Sequence, residues 1–238
     1  PSTETKSTYI EVIDLPVAAF EADTLDIWEG QTVNFTDLST NNPDAWSWTF
    51  NGGTPGTSTA QNPSVVYNTP GCFDVGLQVF KSGLDGVSTS ENCYINVKEK
   101  PAADFSASAN LILVGGTVDF TNNSSGEHDT YEWSFPGSVQ GSSTDANPSG
   151  IQYNSTGVFD VQLKVSSGGL FPDSIIQVGM IEVIEQPMAD FTASDTIIFT
   201  NSTIDFTFDG SGTYDLTEWS FEGGSPGSSS DLNPSNVM

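Results

Sequence analysis

Residues Ala45–Phe50 read AWSWTF. Trp48 and Phe50 stand two positions apart, the period at which a strand presents residues to one face. The pattern returns as TYEWSF at 130–135 and LTEWSF at 216–221, pairing Trp133 with Phe135 and Trp219 with Phe221. The three tryptophans are 85 and 86 residues apart. PVAAF at Pro16, PAADF at Pro101 and PMADF at Pro187 keep the same spacing, as do the Asn-Pro pairs at Asn62, Asn147 and Asn233. Three landmarks in one register define a repeat of 85 to 86 residues.

Around the tryptophan strand the repeat reads as further strands. TVNFTD at 32–37 and TVDFTN at 117–122 alternate apolar and polar residues. FDVGLQV at 73–79 aligns Phe73, Val75, Leu77 and Val79 on one face; FDVQLKV does so with Phe159, Val161, Leu163 and Val165. Turn-rich stretches such as NGGTPGTSTAQNP and KSGLDG separate them, and no segment holds a 3.6-residue apolar period. Six or seven short strands with one buried tryptophan on a middle strand imply an all-β chain of tandem immunoglobulin-like β-sandwiches.

YIEV at Tyr9, YINV at Tyr94 and MIEV at Met180 each begin seven residues before a repeat-opening proline. Residues 1–15 therefore read as the last strand of a preceding unit. Residues 16–100 and 101–186 read as complete units, and 187–238 as the first part of a third. The final NPSNVM repeats a motif that continues elsewhere through a tyrosine and a glycine into an apolar strand, so the polypeptide is expected to extend beyond both ends.

The chain has 238 residues, 31 acidic residues against five lysines and no arginine, and a formal net charge of −26. Such a surface repels nucleic acid and anionic membranes and has no guanidinium fork for phosphate. No apolar run reaches the length of a membrane span.

The succession Pro-x-Ala-x-Phe, Val-x-Phe, Trp-x-Phe, Asn-Pro, Tyr, Gly-x-Phe-x-Val-x-Leu-x-Val resembles the PKD domain over nearly the whole chain. That resemblance implies β-sandwiches of large extracellular proteins. The Trp-Asp-Phe-Gly-Asp-Gly common in that family is here WTFNGG, WSFPGS and WSFEGG, so the acids of that segment are lacking. The NGGTPGTSTAQNP form resembles surface proteins of gliding, Bacteroidetes-type bacteria, where such domains line giant adhesins or follow secreted hydrolases.

Cys72 and Cys93 bracket the KSGLDG turn, and the second unit replaces both, with Val158 and Gly179. A disulfide would close a loop of about 20 residues, worth about 3 kcal/mol in the chain-entropy view; the alternative is two buried thiols. Disulfides persist outside the cytosol.

His128, the one histidine, lies in a loop and lacks the partners of a triad or zinc site. No nucleophile or metal cluster, paired carboxylates or phosphate loop stands out, and no enzyme is expected. Calcium is the one ion considered, on Asp23, Asp37 and Asp44 at loops and strand ends, because some PKD relatives bind it; the alternative is a solvated acidic face. Trp46 is the candidate sugar platform, against a role capping the sheet edge, and Trp28 is expected in the core. Asp-Ser/Thr-aliphatic triplets at Thr24, Ser174 and Thr196 resemble O-glycan acceptors of the same bacterial group.

The joints KEKP and IEQP are short and carry proline, which stiffens them. They imply sandwiches arranged end to end, with neighbouring units of the same chain as first partners. The expected function is a stalk or fibre segment of a long, acidic, extracellular cell-surface adhesin. Assembly as a homo-oligomeric filament and a cell-surface or glycan target are left open. The alternative is a spacer array in a secreted polysaccharide- or protein-degrading enzyme.

Overall fold

The computed structural model describes residues 12–238, and all regular structure in them is β. The expected strand at 1–15 falls largely on residues 1–11, outside those described. The chain divides into two compact units. One runs to Pro101 and includes Gly126–His128; the other comprises Ala102–Ser125 and Asp129–Met238.

The first unit carries β1 (Phe20–Ala22), β2 (Asp26–Trp28), β3 (Gln31–Asp37), β4 (Ala45–Phe50), β5 (Gly53–Thr54), β6 (Thr57–Ser58), β7 (Ser64–Tyr67), β8 (Gly71–Lys81), β9 (Leu84–Asp85) and β10 (Thr89–Lys98). One sheet runs β1-β3-β7-β5, the other β2-β10-β8-β4-β6, with β9 on β8. The apolar parity read from the sequence is the buried parity: Val75, Leu77 and Val79 are fully buried, as are Val33, Phe35, Trp48 and Phe50. Trp48 lies opposite Leu77 in the antiparallel β4–β8 ladder.

The second unit repeats the plan with β11 (Phe105–Ala107), β12 (Leu111–Leu113), β13 (Thr117–Val118), β14 (Phe120–Asn122), β15 (Thr130–Ser134), β16 (Ser142–Ser143), β17 (Ile151–Gln152), β18 (Gly157–Ser167) and β19 (Leu170–Ile184). Its larger sheet is β12-β19-β18-β15-β16, and Trp133 lies opposite Leu163. Phe120, Trp133, Phe135, Val161, Leu163 and Val165 form its buried centre. The run 117–122, read as one strand, is broken at Asp119, whose N–H donates to Ser108 Oγ at 2.9 Å and whose carboxylate accepts the Gly150 N–H at 2.7 Å. Residues 187–238 add β20 (Phe191–Ala193) on β21 (Phe206–Phe208) and β22 (Trp219–Ser220) on β23 (Ser228–Ser229).

The recurring Asn-Pro extends a ladder past its last strand pair. Beyond β7, Phe35 N–H reaches the Pro63 carbonyl at 2.9 Å and Asp37 N–H reaches Asn62 Oδ1 at 2.8 Å. Pro148 and Asn147 do the same for Phe120 and Asn122, and Pro234 and Asn233 for Phe206 and Phe208. Proline gives only its carbonyl and asparagine supplies a second acceptor, so the loop satisfies two N–H groups that would otherwise lack partners.

A glycine-aromatic clamp closes the other end of the tryptophan strand. Gly52 (φ 69°) and Gly137 (φ 80°) lie in the left-handed region, and a Cβ on either would strike the ring of Phe73 or Phe159. Gly137→Ala therefore meets both backbone strain and overpacking, and should cost about 2–4 kcal/mol. Gly141 (φ 71°) has open space around it, so Gly141→Ala should cost only about 1 kcal/mol. Urea unfolding of the two variants checks the difference; equal costs would show that the ring contact is slack.

Candidate functional site

The feature both units build with most care is where the first strand of the larger sheet meets the last. β2 runs parallel to β10, with Asp26, Ile27 and Trp28 opposite Asn96, Val97 and Lys98. β12 runs parallel to β19, with Leu111, Ile112 and Leu113 opposite Glu182, Val183 and Ile184. Asn96 N–H donates to Leu25 O at 2.8 Å and Glu29 N–H to Lys98 O at 3.0 Å. In the second unit Glu182 N–H donates to Asn110 O at 2.7 Å and Val114 N–H to Ile184 O at 3.0 Å. Side-chain amides reinforce both: Asn96 Nδ2 to Asp26 Oδ1 at 2.8 Å, and Asn110 Nδ2 to Met180 O at 3.0 Å.

This register corrects the reading of Trp28. Ile27 is the inward residue, 3% exposed. Trp28 faces outward, half-buried, with Lys98 Nζ 5.8 Å from its ring centroid. A three-residue strand shows no period, so the tryptophan's size misled where parity decides.

Beside the parallel pair, Cys72 and Cys93 are bonded sulfur to sulfur, with Cα atoms 4.8 Å apart. Both are exposed rather than buried. Cys93 sits where the β8–β10 register shifts, at φ 53°, and its N–H donates to Asp74 Oδ1 at 2.7 Å. Gly179 repeats this at φ 63°, donating to Asp160 Oδ1 at 2.7 Å. A Cβ on Gly179 would lie 3.2 Å from Val158 Cγ1. The two positions approach so closely that the repeat either bonds them or removes one side chain. The bulge was not legible beforehand; its signal was the aspartate that recurs in each FDV.

The calcium candidates are not brought together: among the described residues no three His, Cys, Asp or Glu side chains group as a metal site. Each instead serves the local backbone. Asp23 takes the N–H and side-chain amide of Asn34 at 3.0 and 2.7 Å, and the backbone contact first among them holds its carboxyl below its ordinary value. Ser108 and Ser194 fill the same place toward Asp119 and Asp205. Asp44 takes Ser82 N–H at 2.8 Å, as Asp129 takes Gly168 N–H at 2.7 Å.

Asp37 is the most heavily used. It takes Ser39 N–H at 3.0 Å, Trp46 Nε1–H at 2.8 Å and Gln61 Nε2–H at 3.2 Å. Burial pushes its carboxyl up, but the bonds from Ser39, Trp46 and Gln61 outweigh burial and hold it below its ordinary value. The same bond turns Trp46 inward: the ring is half-buried against the core, the edge-capping role rather than a sugar platform.

His128 Nδ1–H donates to Gly126 O at 2.9 Å within its own loop. Of the O-glycan candidates, Ser174 and Thr196 are exposed, whereas Thr24 is partly buried and its hydroxyl donates to Asp26 O at 3.1 Å. No helix among the described residues is long and apolar enough to cross a membrane.

Residues 14–97 match the family model described as PKD domain. No curated protein matches the chain. Among solved structures, a titin I-band fragment is similar at 12% identity and TM-score 0.46, covering 87% of this chain and 79% of that one. The full ectodomain of mouse nectin-like molecule 4 is similar at 14% identity and TM-score 0.43, covering 71% of this chain; this chain spans 65% of that ectodomain.

Two outcomes follow. Val158→Cys with Gly179→Cys should oxidise spontaneously in air, leaving no thiol for Ellman's reagent, and raise the second unit's stability by about 3 kcal/mol at most; two persistent thiols would refute the equivalence of the bulges. Asp37, with its carboxyl lowered, contributes stability that is complete above the ordinary carboxylate range and is lost as pH falls through its folded value. Asp37→Asn should therefore flatten the acid limb of stability measured between pH 7 and pH 3, and an unchanged limb would exclude this carboxylate as its source.

Proposed function

We propose that the chain is a tension-bearing stalk segment of a secreted, acidic cell-surface protein. One observation carries this reading: in both units, the strand entering the larger sheet is parallel to the strand leaving it. Tension draws the entering end of β2 backward and the leaving end of β10 forward. The two strands are then sheared along their length, and the bonds joining them carry load together. An antiparallel pair opened from one end would instead break one bond at a time. Unfolding under force is set by the barrier to leaving the native state, and shear geometry raises that barrier.

The other features fit that role. The carboxylates considered for calcium are spent on loop architecture. The net charge of −26 opposes collapse of neighbouring molecules onto one another. A disulfide at an exposed position fits an oxidising exterior.

Single-molecule stretching of the chain from its two ends tests the reading. Each complete unit should resist strongly and yield in one step. The first unit should lengthen less than the second, because the bond across a separation of 21 residues withholds that loop, about 7 nm of extended chain. Reductant should restore the difference. Yielding of both units at the low force of strands peeled from one end would defeat the proposal.

A further inference from the structure

Cys72 and Cys93 stand open to solvent, and the strand pair that carries them is complete in the second unit without their bond. The bulge at Cys93 is held by its N–H on Asp74 Oδ1 at 2.7 Å, and Gly179 holds its own bulge on Asp160 Oδ1 at the same distance. On either side of the first bulge Val75 lies opposite Glu91 and Phe73 opposite Ile95. Val161 with Gln177 and Phe159 with Ile181 do the same at the second. Beneath them Val75 and Ile95 are fully buried, as are Val161 and Ile181. The second unit thus shows what the first becomes when its bond opens: the ladder and the core stay.

The surroundings of the two sulfurs decide what can open them. Cys72 lies opposite Asn96, whose amide is bonded to Asp26, and Asp74 follows Cys72 by two positions on β8. Glu91 is exposed and precedes Cys93 by two positions. Lys98, two positions beyond Asn96 on β10, sets its Nζ over the Trp28 ring, 5.8 Å from the centroid. The chain holds no arginine and carries a formal net charge of −26. A thiolate approaching these sulfurs therefore meets an excess of carboxylates, and the transition state spreads its negative charge over three sulfurs. Any further charge on the attacking molecule is felt at that approach, over a range that salt shortens.

We propose that Cys72–Cys93 is a thiol-exchange site selective by charge, which takes small neutral or cationic thiols and turns away anionic ones. A thiolate attacks one sulfur, the S–S bond breaks, and the other cysteine leaves as a thiolate that takes a proton from water. A second thiolate then attacks the small molecule's sulfur in the mixed disulfide. That step releases a small disulfide and the remaining cysteine, so two small thiols are oxidised and both cysteines are reduced. The reduced pair, with Cα atoms 4.8 Å apart, stands in place to reclose when a small disulfide serves as oxidant. The bond is a reversible catch on the chain between β8 and β10, set by the thiols outside, and this holds whether or not the chain bears load.

The probes are cysteamine, 2-mercaptoethanol and 2-mercaptoethanesulfonate, which are cationic, neutral and anionic. Each reduces the full chain, and its rate per thiolate is divided by its rate on hydroxyethyl disulfide, an uncharged reference. After that division cysteamine should outpace the sulfonate by on the order of tenfold at low ionic strength. The ratio should collapse toward one in 1 M salt, where screening acts within about 3 Å. Asp74→Asn keeps an acceptor for the Cys93 N–H, and it should narrow the low-salt ratio, as should Asp26→Asn. Amide hydrogen exchange on the reduced chain should show protection kept across β4, β8 and β10. A ratio near one at low salt, or one that neither salt nor the two substitutions change, would overturn the proposal. So would resistance to all three thiols, or loss of protection across those strands on reduction, since the bond would then be a structural brace.

Discussion

The indole of the middle-strand tryptophan fills the space between two sheets, and its one N–H must find an acceptor in an apolar interior. An unpartnered donor there costs about 1–3 kcal/mol. In each complete unit the acceptor is a loop carbonyl twelve residues onward, Ala60 or Asp145. The loop is built to deliver it. Ser58 and Ser143 hold the next-but-one N–H at 3.1 Å, and the Asn-Pro that follows ties the loop to the opposite sheet. The tryptophan thus dictates strand spacing, loop course and the place of the repeated dipeptide.

This explains which features were legible in the sequence. Period-two patterning shows wherever strands are long, so β3, β4 and β8 could be read directly, and the repeat spacing united them. Asn62, Asn147 and Asn233 were visible as landmarks, but their work was not, because it depends on an N–H 25 residues earlier in the chain. Trp28 was misread since only the parallel register distinguishes it from Ile27. Cys93 was placed near Cys72 correctly, yet its bulge and exposure come from a register shift whose one sequence signal, the aspartate of each FDV, lies on the partner strand.

The acidic composition has a related origin. Loops rich in glycine and serine, turning through positive φ, leave N–H groups that no strand can satisfy. Aspartate is a short side chain with two strong acceptor oxygens, and Asp23, Asp44, Asp74, Asp129 and Asp160 each take at least one such N–H. Asp37 can be exchanged for Asn122 in the same turn, where Asn122 Oδ1 takes Ser124 N–H at 3.1 Å. At that turn the acceptor geometry is required and the charge is not. Charge accumulated this way is scattered rather than convergent, which is the opposite of what a divalent cation needs.

The two solutions to the bulge separate stability from mechanical strength. The Cys72–Cys93 bond joins β8 to β10 and restricts the unfolded chain, but it does not span the parallel β2–β10 pair. Gly179 leaves β18 and β19 joined by hydrogen bonds alone, while the β12–β19 pairing is unchanged in kind. Load entering from the N-terminal side meets the short antiparallel β1–β3 or β11–β14 pair and then the parallel strands, which carry the shear in either unit. The covalent bond decides only how much chain is released once those strands part, so repeats with and without it can share one resistance to force while differing in reach.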